Sequence, residues 1–247
     1  MWSDASRRDK ILQVLREPTT GRTAHSKTKD GSRGYQSSNP TSSSAANATD
    51  ELRSATKPTK ALVIKLKLRQ LAILLSKLPP HPCNSLELEQ YQTEGNLAAT
   101  WLHRIDAIDG FQGKTVIDLG AGNGILGRGA QILGAEVIFV ECDEDAGKLC
   151  QDLGETIIGY LGDVNIPSAD IVITNPPWGV QKRGADRIFI DTALQCAPVV
   201  HIMHSALANH LPDGDVILSG KFRMPARYGH HTSKMGTTEI KCLRIVR

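Results

Sequence analysis

Ala169-Asp170-Ile171-Val172-Ile173-Thr174-Asn175-Pro176-Pro177-Trp178 is the stretch that decides the fold. Its first six residues are a short apolar run of the kind that forms a central strand of a parallel sheet, buried on both faces. Proline has no N–H and cannot continue such a strand, so Pro176 and Pro177 turn the chain out at the strand's carboxyl end. Open α/β sheets bind their ligands at that edge. There Asn175 offers an amide that can accept from and donate to one planar amine, and Trp178 offers a π-face for a flat ring. The chemistry this suits is transfer to a nitrogen conjugated to a planar system.

Upstream, strand and helix signals alternate, which implies parallel βαβ units. Thr115 to Leu119, Glu136 to Val140, Thr156 to Leu161 and Ile171 to Thr174 read as strands, with helices from Ile125 to Leu133 and from Asp145 to Leu153. Later strands are expected at Val199 to His204, Val216 to Gly220 and Glu239 to Val246. Ahead of them, leucines from Leu62 to Leu75 mark an amphipathic helix ended by Pro79-Pro80, and a second helix runs from about Glu94 to Ile108. The first of these strands runs through Asp118 into Gly120-Ala121-Gly122-Asn123-Gly124, a turn in which glycine lets the backbone approach a ligand closely. Glu141 closes the next strand, where a carboxylate can accept from a ribose diol. Asp143 and Asp145 could serve the same purpose but sit where a helix cap belongs. Asp163 follows the third strand and can accept from an exocyclic adenine amine or simply form a turn.

The 247-residue chain is 40% hydrophobic and 22% charged, enough for one buried domain and an appendage. Residues 1 to 59 are rich in Ser, Thr, Asn and Gly, and are expected to be disordered because they cannot bury enough apolar surface. They also read as a start placed too far upstream, although no Met lies between Met1 and Met203. Residues 60 to 110 form an N-terminal helical part, and residues 111 to 247 the core. No run of eighteen apolar residues is present, which argues against a membrane span, and the N-terminus carries no secretory signal. Five scattered cysteines point to reduced thiols of the cytosol rather than to zinc or disulfides in this chain. Lys and Arg outnumber Asp and Glu by 7 to 1 in residues 221 to 247, against 11 to 19 in residues 61 to 220. That basic end suits a polyanion such as nucleic acid or is simply a solvated face. His201 and His204, on an apolar strand, read as core or pocket-lining residues rather than metal ligands, and His230 and His231 carry little signal.

Glycine turn, ribose carboxylate, third-strand Asp and fourth-strand Asn-Pro-Pro-Trp together resemble class I S-adenosylmethionine-dependent methyltransferases of the subgroup that methylates nitrogens of planar groups. From about Lys65 onward the chain is similar to the archaeal branch of the methyltransferase-like-five family of ribosomal RNA adenine N6-methyltransferases. Leu88-Glu89-Gln90-Tyr91-Gln92-Thr93, Asp118 to Gly124, Asn175 to Gly179 with Lys182, and Met224-Pro225-Ala226-Arg227-Tyr228 carry the likeness. The resemblance implies a Rossmann-like α/β sheet with helices on both faces. It implies S-adenosylmethionine as cofactor, held by Gln90, Thr93, Asp118, Gly120, Gly122, Asn123, Ile125, Glu141, Asp163 and Val164. It places catalysis on Asn175, Pro176, Pro177 and Trp178, and RNA contacts on Lys182, Arg183, Arg223, Arg227 and Tyr228. Trp178 stands where the family commonly has Phe, and Glu141 where it commonly has Asp; both retain the chemistry of the residue they replace. The family also implies a small zinc-containing activator subunit that adds along the sheet edge. Thr156 to Leu161 is compatible with that role, but apart from the resemblance it reads more simply as an ordinary core strand. A release-factor glutamine methyltransferase, a DNA adenine methyltransferase and a non-catalytic RNA-binding scaffold are the competing functions.

Overall fold

In the computed structural model, the apolar runs pair as one seven-stranded sheet. The described residues are 66–82, 92–179, 182–224 and 236–247. The chain divides into residues 1–60 and 61–247, and the first unit lies outside the described residues. So do Gln90, Arg227, Tyr228, His230 and His231, and the side chain of Arg223.

β1 (Thr115–Leu119) and β4 (Ile171–Thr174) are adjacent and parallel at the centre, with Asp118 opposite Ile173. All four residues of β4 are buried, as a strand covered on both faces requires. β2 (Glu136–Glu141) and β3 (Glu155–Ile158) extend the sheet on one side, and β5 (Val199–Ser205) on the other. β7 (Gly236–Val246) then runs antiparallel between β5 and β6 (Asp215–Met224).

Two apolar clusters lie on the two faces of the sheet. One packs Phe139, Ile171, Ile173 and Phe222 against α1 (Leu68–Leu75), α2 (Gly95–Ile108) and α3 (Ile125–Ile132). α4 (Glu144–Gln151) joins it through Cys150. The other packs Leu119, Val140, Val172 and Ile202 against α5 (Arg187–Cys196). The strand order reverses between β1 and β4, which opens a crevice at their carboxyl ends.

Several boundaries differ from the sequence reading, four of them by more than a single residue at one end. β6 begins at Asp215 and runs on to Met224, because pairing with β7 continues past the charged Lys221 as far as Gly236. β7 accordingly starts at Gly236, three residues before Glu239. α4 stops at Gln151, and Leu153 and Gly154 close its end with bonds to the Cys150 carbonyl. β3 ends at Ile158, after which Leu161 forms only an isolated bridge to Val164. β3 is the terminal strand among the described residues, and none of its four residues is fully buried, so it is not a core strand.

Candidate active site

The turn after β1 is pinned before any ligand arrives. The N–H groups of Gly120 and Ala121 both donate to the Val140 carbonyl at 2.9 Å, and Gly124 N–H donates to Ala121 at 2.8 Å. Gly122 has φ +57°, and a Cβ there would sit 3.2 Å from the His81 ring, so glycine keeps this wall open. A Cβ on Gly120, at φ +73°, would come within 2.7 Å of Phe189. Gly120→Val is therefore expected to strain the turn, press on Phe189 and weaken ligand binding, with calorimetry reading the affinity and a thermal melt the cost to the fold.

Glu141 is buried and lines this space. Its Oε2 accepts from Gly122 N–H at 2.7 Å, and its Oε1 from Cys142 and Asp143 N–H at 2.9 Å each. The carboxylate is thus held rigidly beside the glycine turn, with Oε2 having accepting capacity left for a hydroxyl. Asp143 caps α4 by accepting from Asp145 and Ala146 N–H, as the alternative reading of its position expected.

Beyond β4, Asn175 is fixed at both ends of its amide. Nδ2 donates to Thr93 Oγ1 at 3.2 Å, and Oδ1 accepts from Trp178 Nε1–H at 3.3 Å. Trp178 lies against the His204 ring, with centroids 5.8 Å apart and planes at 25°, and is tilted on Phe222 at 5.5 Å. Thr174 Oγ1 ties the end of β4 to β1 by donating to the Leu119 carbonyl at 2.8 Å.

These groups line one cavity of about 520 Å³, within the range of small-molecule sites. It brings together Gly120, Gly122, Glu141, Asn175, Pro176, Pro177, Trp178 and Lys182 from the sequence reading. Other expected contacts stand behind its wall. Thr93 holds Asn175. Asn123 donates to the Pro79 carbonyl at 2.9 Å, tying the segment that carries His81 to the glycine turn. Ile125 is buried in the core at the start of α3. Asp163 is exposed, its N–H closing a turn on Tyr160, and Val164 pairs with Leu161. Arg183 is exposed outside the cavity lining. His81, Tyr160, Phe189 and Phe222 line the cavity but were not singled out from sequence. Only Phe222 carried a signal, as the apolar residue between Lys221 and Arg223.

Asp118 is also outside the lining. It is buried and accepts from Gly127 N–H at 2.6 Å, so it anchors the first turn of α3. Burial, with the nearby charge of Glu141, pushes its carboxyl from the usual 3.8 up to about 8. The folded state therefore favours protonated Asp118, a contribution present in full below 3.8 and lost as pH rises through about 8. Asp118→Asn keeps an acceptor for Gly127 and cannot titrate. Its melting temperature is expected to fall less than that of the parent between pH 5 and 8, a difference thermal melts across that range would read.

No family model matches the sequence. Over 213 residues the chain is 33% identical to the uncharacterized protein MJ0284 of Methanocaldococcus jannaschii, covering 73% of this chain and 94% of that one. Over 203 residues it is 28% identical to the rRNA N(6)-adenosine-methyltransferase METTL5 of Danio rerio, covering 72% and 98%. The crystal structure of PH1948 from Pyrococcus horikoshii, solved as a candidate RNA methyltransferase, is 33% identical with a TM-score of 0.66, covering 74% of this chain and 98% of that one. The chain belongs to the methyltransferase-like-five family. It is a methyltransferase, and S-adenosylmethionine is the methyl donor such a site would hold. The donor fits what the residues offer. The glycine turn leaves backbone open to close approach, Glu141 presents a carboxylate beside it, and the cavity continues without a break to Asn175 and Trp178. The cavity thus has one end at β1 and β2, beside Glu141, and the other beyond β4, at Asn175 and Trp178.

Proposed function

We propose that this chain transfers a methyl group to the N6 of an adenosine in ribosomal RNA. The observation that carries the reading is the end of the cavity beyond β4, where Asn175 is immobilised by Thr93 and Trp178 next to the backbone of Pro176. The adenine amine is a weak nucleophile because its lone pair is delocalised into the ring. Oδ1 of Asn175 and the Pro176 carbonyl are both acceptors, and together they orient the two N–H groups so that the lone pair localises toward the transferred carbon. S-adenosylmethionine supplies an electrophilic methyl group on a sulfonium. Trp178 and Phe222 give the base an aromatic surface in place of the stacking it leaves behind, an interaction worth roughly 1–3 kcal/mol per base. Lys182 is exposed at the rim and suits a phosphate. The names of the Danio rerio relative and of METTL5 homologues from Drosophila melanogaster and Caenorhabditis elegans support adenosine N6 in rRNA.

Incubation with labelled S-adenosylmethionine and separate ribosomal RNA, protein and DNA fractions tests this. Label is expected in N6-methyladenosine of the RNA. Label on a protein glutamine would keep the methyltransferase and replace the substrate.

The zinc-containing activator subunit belongs to the same proposal. β3 is the terminal strand among the described residues, and Tyr160 beyond it is 59% exposed, so the edge can accept an added strand. Co-expression with an activator of that class is expected to raise the melting temperature of this chain, and Ile157→Lys on β3 to abolish the gain. A cytosolic location is proposed with it; no helix among the described residues is long and apolar enough to cross a membrane.

A further inference from the structure

Asp186 stands immediately before α5, where its residue type usually caps a helix, yet its side chain makes no capping bond. It is buried and turns instead to two histidines from the end of β5 and the following loop. Its Oδ2 lies 3.2 Å from Nε2 of His204 and also meets Nε2 of the half-exposed His210. Nδ1 of His204 accepts from Ser205 N–H at 2.9 Å. A neutral imidazole that accepts at Nδ1 carries its proton on Nε2, so His204 donates to Asp186. Burial disfavours the charged form of His204, in keeping with that neutral state. Both ring nitrogens are therefore engaged, which fixes the plane of the ring that lies against Trp178.

The three ligand atoms all lie within 4.8 Å of one another, a spacing that a metal ion could also use. Coordination through Nε2 of His204 would require the proton to sit on Nδ1, where it would face the Ser205 N–H. The hydrogen-bonded arrangement is the one this backbone supports.

We propose that Asp186 and His204 are positioning residues that hold the indole of Trp178 in the plane that receives the target base. His210 supplies the second donor that lets the Asp186 carboxylate stay buried and charged. The inference rests on the methyl-transfer reading, because it assigns Trp178 to base capture.

The test uses D186L, D186N and H204F in the full chain. In D186L, His204 loses its acceptor and its ring is free to turn. The RNA concentration for half-maximal single-turnover methylation is expected to rise about tenfold, with S-adenosylmethionine affinity within about twofold of the parent. D186N keeps an oxygen for His204 and is expected to recover most of the loss. H204F keeps a ring without the hydrogen bond and is expected to resemble D186L. It carries the test with D186N if D186L gives no cooperative melt. The tryptophan emission that W178F removes is expected to shift to the red in D186L and H204F but not in D186N. RNA dependence and emission at parent values in both D186L and H204F would overturn the inference. So would activity lost in EDTA and restored by Zn²⁺ or Ni²⁺ in the parent alone, which would mark a metal centre. A parent protein that methylates no RNA sinks the proposed function instead, and the emission shifts still decide whether the pair holds Trp178.

Discussion

Asn175→Ala is expected to reduce methyl transfer to RNA by about 100- to 1,000-fold, the range for loss of one preorganised polar group aimed at developing charge. S-adenosylmethionine affinity is expected to change by no more than about twofold, since the amide acts on the acceptor and gains its strength in the transition state. Single-turnover kinetics at saturating RNA, beside calorimetry of the donor, separate the two. The amide also accepts from Trp178 Nε1–H, so part of the effect could come from a displaced indole. Trp178→Phe removes that N–H donor and keeps Asn175. It is expected to lower the rate far less than Asn175→Ala and mainly to raise the RNA concentration required. Near-parent turnover by the Asn175→Ala protein would sink the assignment of this residue. So would a loss equal to that of Trp178→Phe, which would reduce Asn175 to a support for the ring.

The central strands were legible because burial on both faces favours apolar residues, as in Val116-Ile117 of β1 and Ile171-Val172-Ile173 of β4. The prolines after Thr174 then placed Asn175 and Trp178 at the carboxyl edge, and the strand order puts the switch point there. Contacts between residues far apart in sequence were not legible. Thr93 holds Asn175 across 82 positions, and no local pattern announces such a pair. Asp186 stands before α5 as a helix cap would, and its turn toward His204 depends on β5 lying beside β4. β6 was read too short because Lys221 and Arg223 suggested a solvated segment. In the sheet the same alternation sends Phe222 inward to the cavity, where it is 1% exposed, and leaves the flanking cation Lys221 exposed. β3 was ambiguous because a short apolar run at an edge and one in a core share composition.

Glu141→Ala is expected to raise the S-adenosylmethionine dissociation constant by about 10- to 100-fold, as follows from loss of a charged hydrogen-bond acceptor worth roughly 1.5–3 kcal/mol. Two separable effects contribute. A ribose hydroxyl loses its carboxylate, and the N–H groups of Gly122, Cys142 and Asp143 lose theirs, so the glycine turn loosens as well. Glu141→Gln distinguishes them. Its carbonyl oxygen can still take the Cys142 and Asp143 donors, whereas its NH₂ would face Gly122 N–H, donor against donor. An intermediate affinity is therefore expected. The apo proteins report the turn: melting temperature should fall most in the alanine variant. The stabilisation that added donor confers reports the ribose contact, since it follows RT ln(1 + [L]/Kd) and shrinks as Kd rises. RNA affinity without donor should stay at the parent value in both variants, because Glu141 lies in the other half of the cavity from Asn175. Equal donor affinity in Glu141→Ala and the parent, with a lowered apo melting temperature, would leave Glu141 as a support for the turn and return the ribose to another carboxylate.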